Sequence, residues 1–136
     1  MPNSQADVTA GAPNLESYTD NGDGTVTDNV TGLMWEKMAK GPSTWADAGT
    51  YCSTLSLGGH TDWRLPALME LVSIVDYTKF NPSINTTYFS NISGGMWSST
   101  LQAGSTSMAW LVFFLDGDSS AVGTGGNLGG SALCVR

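Results

Sequence analysis

Few side chains in this chain are placed to do chemistry. His60 is the one histidine and stands beside Gly58-Gly59, where a turn or surface role suits it better than general-base work. No serine lies in the G-x-S-x-G pattern that presents a nucleophile. The run Tyr18-Thr-Asp-Asn-Gly-Asp-Gly-Thr-Val-Thr-Asp28 invites calcium. Gly22, however, occupies the place of the third-position ligand of an EF-hand, and no Glu closes the loop. Its Asn21-Gly22 and Asp23-Gly24 pairs favour the positive φ angles of a tight hairpin turn instead. Asp62 and Arg64 flank Trp63 and read as a structural ion pair or hydrogen-bond anchor. Cys52 and Cys134 have no close-spaced partner, so zinc is not expected. Two buried thiols and one disulfide both fit them. A disulfide would close a long loop and imply an oxidising compartment. The chain therefore does not read as an enzyme: no catalytic residue, metal site or cofactor is expected.

The elements around these residues are dominated by one apolar run. Residues 110–115 read Trp-Leu-Val-Phe-Phe-Leu, closed by Asp116-Gly117. Successive side chains of a strand point to opposite faces, so this strand is apolar on both. Either it is sandwiched within the fold or one of its faces is a binding surface. From Phe80 to Val135 the only charged residues are Asp116 and Asp118. A formal net charge of -7, with scattered basic residues, argues against nucleic acid and anionic membranes. No apolar run approaches the roughly 20 residues that span a bilayer, so no direct membrane insertion is expected. The polar start, Met1 to Asp7, lacks the basic and apolar regions of a signal peptide.

Residues 1–16 read as a flexible lead-in and residues 17–136 as one domain. A short hairpin should lead to a strand at Leu33-Met-Trp35. Ser43 or Thr44 can cap a helix with Asp47 in its first turn. Trp45, Ala48, Cys52 and Leu55 share a face of that helix, and Gly58-Gly59 should stop it. Pro66 suits the first turn of a second helix, with a stripe at Leu68, Leu71, Val72 and Val75. A long loop follows from Asn81-Pro82 to Gly95. Strands are expected at Met96–Thr100, Met108–Leu115 and Ala132–Val135, with a polar run between the last two. Hairpin, helices, then strands give an α+β class. Trp35, Trp45, Trp63 and Trp97 are expected in the core.

These motifs carry a resemblance. Tyr18 to Asp28, Thr31-Gly-Leu-Met-Trp35, Thr44-Trp-Ala46, Tyr51-Cys52, Leu57-Gly-Gly59, Thr61-Asp-Trp-Arg-Leu-Pro66, Glu70-Leu71, Thr87-Tyr-Phe89 and Trp97-Ser-Ser-Thr100 stand in the order typical of the Lcl-type C-terminal domain. That domain ends certain bacterial collagen-like adhesins and many surface lipoproteins. The resemblance covers roughly residues 17–136. It implies a C-type-lectin-like fold, two helices packed on a twisted antiparallel sheet with termini close together. It also implies a disulfide from the first helix to the last strand, and Cys52 and Cys134 stand at those places. The calcium-dependent lectin motifs Glu-Pro-Asn and Trp-Asn-Asp are missing: Asn81-Pro82-Ser83 and Trp97-Ser98-Ser99 stand instead. Some adhesins of this type bind glycans with cationic surfaces, which an acidic chain lacks.

After Ala109-Trp110 the chain departs from the family, whose ordinary members resemble Asn-Val-Asn-Phe there. Leu111 and Phe113 replace the Asn-like positions, while Trp110, Val112, Phe114, Gly117, Cys134, Val135 and Arg136 persist. This alternation resembles the variable region of a diversity-generating-retroelement protein, in which template adenines are randomised at the end of the gene. Asn codons altered at their adenines readily yield Ser, Gly, Asp, Leu, Phe, Ala and Val, the residues that fill this region. The expected function is non-enzymatic ligand binding through a diversified surface made of Leu111, Phe113, Leu115, Asp118, Ser120, Thr124, Asn127, Leu128, Ser131 and Leu133. Strand alternation puts Leu111, Phe113 and Leu115 on one face and Val112 and Phe114 on the other. Because the family-like positions keep Val112 and Phe114, the resemblance implies that these two face the core and the other three point outward. The expected partner is a protein or glycan on another cell or virus, and the expected location is extracellular, on a cell surface or on a virion. A homo-oligomer is compatible, since trimers are common among such adhesins. The rival expectation is an ordinary adhesin domain that binds a cell-surface or host glycan.

Overall fold

The computed structural model describes residues 16–125 and 130–136. Residues 1–15 of the lead-in expected over residues 1–16, and the site residues Asn127 and Leu128, lie outside the described residues. Glu16, assigned to the lead-in, is tied down: it is half-buried and its carboxylate accepts the Asn85 Nδ2–H at 3.0 Å.

The hairpin forms as expected. Strands β1 (Tyr18–Asp20), β2 (Thr25–Asp28) and β3 (Met34–Glu36) make an antiparallel sheet in that order. Gly22 and Gly24 turn the chain at φ 77° and 89°, where a side chain would be strained. The acidic side chains serve the turn. Asp20 Oδ1 accepts the Gly22 N–H at 3.0 Å, and Asp23 Oδ1 accepts the Thr25 N–H at 3.1 Å. Among the described residues, no group of three or more His, Cys, Asp or Glu could hold a metal.

Helix α1 (Trp45–Thr54) is capped by Thr44, whose hydroxyl accepts the Asp47 N–H at 3.2 Å. It buries Ala48 and Cys52. It ends at Leu55, before the glycines expected to stop it. Gly58 and Gly59 instead form a tight turn closed by paired backbone bonds between Leu57 and His60. Helix α2 (Leu68–Ser73) follows Pro66 and buries Leu71. Val75, the last member of its stripe, is buried beyond the helix end. Asp62 and Arg64 do not pair with each other. Arg64 forms a bidentate pair with Glu70 at 2.6 and 2.8 Å, and Asp62 holds the C-terminal Arg136.

The second sheet holds β4 (Gly95–Leu101), β5 (Met108–Phe113), β6 (Asp118–Gly123) and β7 (Gly130–Ser131), in the order β6-β5-β4-β7. Three details differ from expectation. The last strand is Gly130–Ser131 and not Ala132–Val135, where Ala132 and Val135 make only isolated bridges to Lys40, Trp35 and Arg64. The polar run after Asp118 contains a strand, β6, held by unbroken antiparallel pairing with β5. Nor is there one antiparallel sheet: there are two sheets, and in the second β7 runs parallel to β4. The reason is directional. The chain leaves β6 beside Met108 and re-enters at Gly130 beside Gly95, at the other end of the sheet.

The C-terminal segment stitches the sheets together. Met34 and Glu36 donate to Arg136 and Cys134 carbonyls at 2.9 Å, and Arg64 and Val135 exchange backbone bonds at 2.9 Å. The Cys52–Cys134 disulfide ties this segment to α1, with sulfurs 2.12 Å apart. The result is α+β: two helices with one antiparallel and one mixed sheet. No helix among the described residues is long and apolar enough to cross a membrane.

The second sheet is covered on both faces. One buried cluster joins Leu71, Phe89, Met96, Val112, Phe114 and Leu133; the other joins Ala48, Cys52, Trp63, Trp97, Leu111 and Cys134. The apolar run of β5 is therefore sandwiched. Trp35, Trp63 and Trp97 are buried as expected, while Trp45 is half-buried.

Candidate functional site

The candidate surface is the β5–β6 hairpin and the turn at its tip. Residues paired across antiparallel strands share a face. Ala109 with Val122, Leu111 with Ser120, and Phe113 with Asp118 therefore lie on the side of α1 and the disulfide. Burial runs out toward the edge of that face: Leu111 is buried, Phe113 is half-buried, and Ser120 and Asp118 are exposed.

The structure corrects two of the expected surface residues. Leu111 and Leu133 are each 0% exposed and belong to the two core clusters. The alternation at β5 was right in phase, but both of its faces are covered. Phe113 is corrected in degree, being half-buried against the second cluster. Leu115, at 45% exposed, lies open as expected. Thr124 is half-buried at the far end of β6, where its N–H donates to the Ser107 carbonyl at 3.0 Å. Ser131 lies in β7, on the opposite edge of the sheet, packed against Gly41. Phe113, Leu115, Asp118 and Ser120 are thus brought together, and the other described residues are not.

The turn is held from beneath. Gly117 donates to the Phe113 carbonyl at 2.8 Å with φ 84°. A Cβ there would come within 2.7 Å of the Tyr77 ring, a contact only glycine avoids. Asn81 and Ser83 donate backbone N–H groups to the Leu115 and Phe114 carbonyls at 2.8 and 2.7 Å. This stretch brings Tyr77 (58% exposed) and Phe80 (71% exposed) to the same end of the molecule as Leu115. Sequence reasoning missed both. The available signal was a pair of aromatics in polar surroundings, just past the stripe of the second helix.

Charge at the tip is negative. Asp116 and Asp118 are exposed, and their carboxylates accept the Asp118 and Ser119 N–H groups at 3.0 and 2.9 Å. Lys79, which stands between Tyr77 and Phe80 in the sequence, lies 3.7 Å from buried Asp76. An acidic apolar tip of this kind can bind, but it offers no nucleophile–base pair.

Two other features stand apart. A groove of about 360 Å³ beside α1 is lined by Trp45, Ala46, Gly49, Thr50, Ser53, Leu65 and Ser99. The Trp45 indole there donates to the Ser98 carbonyl at 2.9 Å. On the other side of α1, buried Glu36 accepts from the Tyr51 hydroxyl and from the Cys134 N–H at 3.2 Å. Burial pushes its carboxyl above the usual range. This group braces α1 against the C-terminal segment.

Comparison with known protein families matches residues 24–136 to the Lcl C-terminal domain. Comparison with curated proteins gives no match.

Proposed function

The chain belongs to the Lcl C-terminal domain family, and from that premise we propose that it is a non-enzymatic binding module of C-type-lectin-like fold. Its recognition surface is the β5–β6 hairpin, and its partner is a protein or glycan displayed on another cell or virus. The site of action is extracellular, on a cell surface or a virion, with which the Cys52–Cys134 disulfide is compatible. The observation that carries this reading is the contrast at the hairpin. Val112, Phe114 and Gly117 keep the family-like pattern and are buried, whereas Leu115, Asp118 and Ser120 are exposed around them. A scaffold fixed beneath an alterable surface suits a retroelement variable protein, in which recognition changes while the fold stays.

Sequencing the DNA beyond the gene, and the gene itself in several isolates, tests this. The expected result is a near-copy of the gene's end beside a reverse-transcriptase gene, with variation concentrated in the codons for Phe113 to Ser131. An invariant gene end with no such copy would overturn the diversified reading. A second reading, an ordinary adhesin domain that binds a glycan, is favoured by the groove beside Trp45, where an aromatic ring meets the hydroxyls of Thr50, Ser53 and Ser99. Glycan-array binding abolished by Trp45→Ala, and untouched by changes at Leu115 and Asp118, would establish it.

A further inference from the structure

Strand β6 is the outer strand of its sheet. The phase of its hydrogen bonding can be fixed from both neighbours of β5. Phe114 donates to the Gly94 carbonyl of the β4 side at 2.8 Å, and Thr124 donates to the Ser107 carbonyl at 3.0 Å. In an antiparallel ladder, backbone groups of alternate residues face alternate neighbours. Residues 109, 111 and 113 therefore face β6, and their partners 122, 120 and 118 face back. The backbone groups of Ser119, Ala121 and Gly123 point away from the sheet. The Asp118 carboxylate takes the Ser119 N–H at 2.9 Å, whereas Ala121 and Gly123 have no outer partner among the described residues.

Natural edge strands are usually blunted by lysine, proline, a bulge or a covering segment. β6 reads Asp-Ser-Ser-Ala-Val-Gly, without lysine or proline, and its register with β5 is unbroken over its length. The edge begins beside the turn that holds Leu115, with Tyr77 and Phe80 supported at the same end. An open ladder continued by exposed apolar side chains is the arrangement that accepts an added strand.

We propose that the outer edge of β6, continued by Leu115, Tyr77 and Phe80, takes up an extended segment of a partner protein that carries basic and apolar side chains. This rests on the reading of the hairpin as the recognition surface and specifies its partner. Charge selects the occupant. Asp116 and Asp118 stand at the start of the edge, and no cation occurs from Phe80 to Val135. A second copy of the chain, also at -7, is disfavoured by repulsion. Backbone bonds supply affinity that tolerates many sequences, while the tip side chains choose among them.

The probe is a phage-displayed random-peptide library selected against the full chain at low salt. Enriched peptides are expected to combine Lys or Arg with aliphatic or aromatic residues at alternating positions. Their binding should weaken with added salt as the charges are screened. Methylating alternate backbone nitrogens of a selected peptide should abolish binding. Hydrogen exchange should slow at the amides of Ala121 and Gly123 in the complex. Leu115→Ser and Ala121→Pro should each weaken binding about tenfold or more. The exchange and methylation measurements decide the matter even if Ala121→Pro fails to fold. Absence of any enriched peptide, or binding indifferent to backbone methylation, would overturn the inference. So would a dimer in sedimentation that Ala121→Pro splits, since the edge would then serve self-association. If no peptide binds while a glycan does, and substitutions at Leu115 and Asp118 abolish that glycan binding, the strand inference falls and the recognition surface stands. Glycan or peptide binding confined to the Trp45 groove would remove both.

Discussion

Strands β5 and β6 are neighbours in one hairpin, paired residue for residue, yet they do opposite work. β5 carries Leu111, Val112 and, just beyond it, Phe114, all buried, because helices and loops cover both sides of the sheet. β6 carries Asp118, Ser120 and Gly123, all exposed, and among the described residues one of its edges has no neighbouring strand. A continuous apolar run is thus a sign of two covered faces. The exposed side chains lie one strand further out and in the turn between them. Nothing in hydrophobicity alone distinguishes Leu111 in the core from Leu115 in solvent; their distances from the edge and from the turn do.

The contrast is sharpest in stability. Phe114→Ala is expected to cost about 3–5 kcal/mol and Leu111→Ala about 2–5 kcal/mol, read by denaturant unfolding. A Leu111 variant as stable as the parent would break the comparison, since that side chain would then be dispensable. Replacing Cys52 and Cys134 by serine is expected to cost about 2–4 kcal/mol, because the crosslink that closes the chain over its last strand is lost. Thiol titration of the parent, denatured without reduction, should find no free thiol. Gly117→Ala is expected to cost about 1–3 kcal/mol, since the new Cβ meets Tyr77 and Val75 at an unfavourable φ. That loss should be accompanied by altered fluorescence or exchange at the tip.

A smaller effect concerns pH. Burial raises the folded-state pKa of Glu36 above its ordinary value of 4.5, so the folded chain holds this proton more tightly than the unfolded chain. Its contribution is fully present below pH 4.5 and is lost as pH rises through the folded value. Glu36→Gln should flatten that part of the stability profile, measured by unfolding at a series of pH values. An unchanged slope would show that the group is solvated. The exposed carboxylates Asp20 and Asp62 are shifted the other way by Lys37 and Arg136. Their contributions appear as pH rises and persist in the variant.

Much of the fold was legible in particular residues. Thr44 and Asp47 marked the start of α1, the Asn-Gly and Asp-Gly pairs marked the first turn, and strand periodicity gave the phase of β5. The cover on its second face was not legible, because it comes from α1 and the disulfide, which meet β5 only through tertiary packing. β6 was missed because Ser, Ala and Gly have little intrinsic strand preference, and pairing with β5 supplies what the residues lack. For the same reason Leu111 and Leu133 were assigned outward on departure from the family pattern, when packing holds both inside. Tyr77 and Phe80 join Leu115 only through the backbone bonds of the following loop, which no spacing announces.

Separation of fold from recognition can be measured in one display experiment. Phe113, Leu115, Asp118 and Ser120 are randomised in one pool, and Leu111, Val112, Phe114 and Leu133 in another, with protease resistance as the reporter of folding. Most members of the first pool should remain folded, as surface changes usually stay within about 0.5 kcal/mol, with Phe113 the least tolerant of the four. Most members of the second pool should be lost. Equal survival of the two pools, or collapse of the first, would contradict the assignment of the hairpin's outer residues to recognition and of its inner ones to the fold.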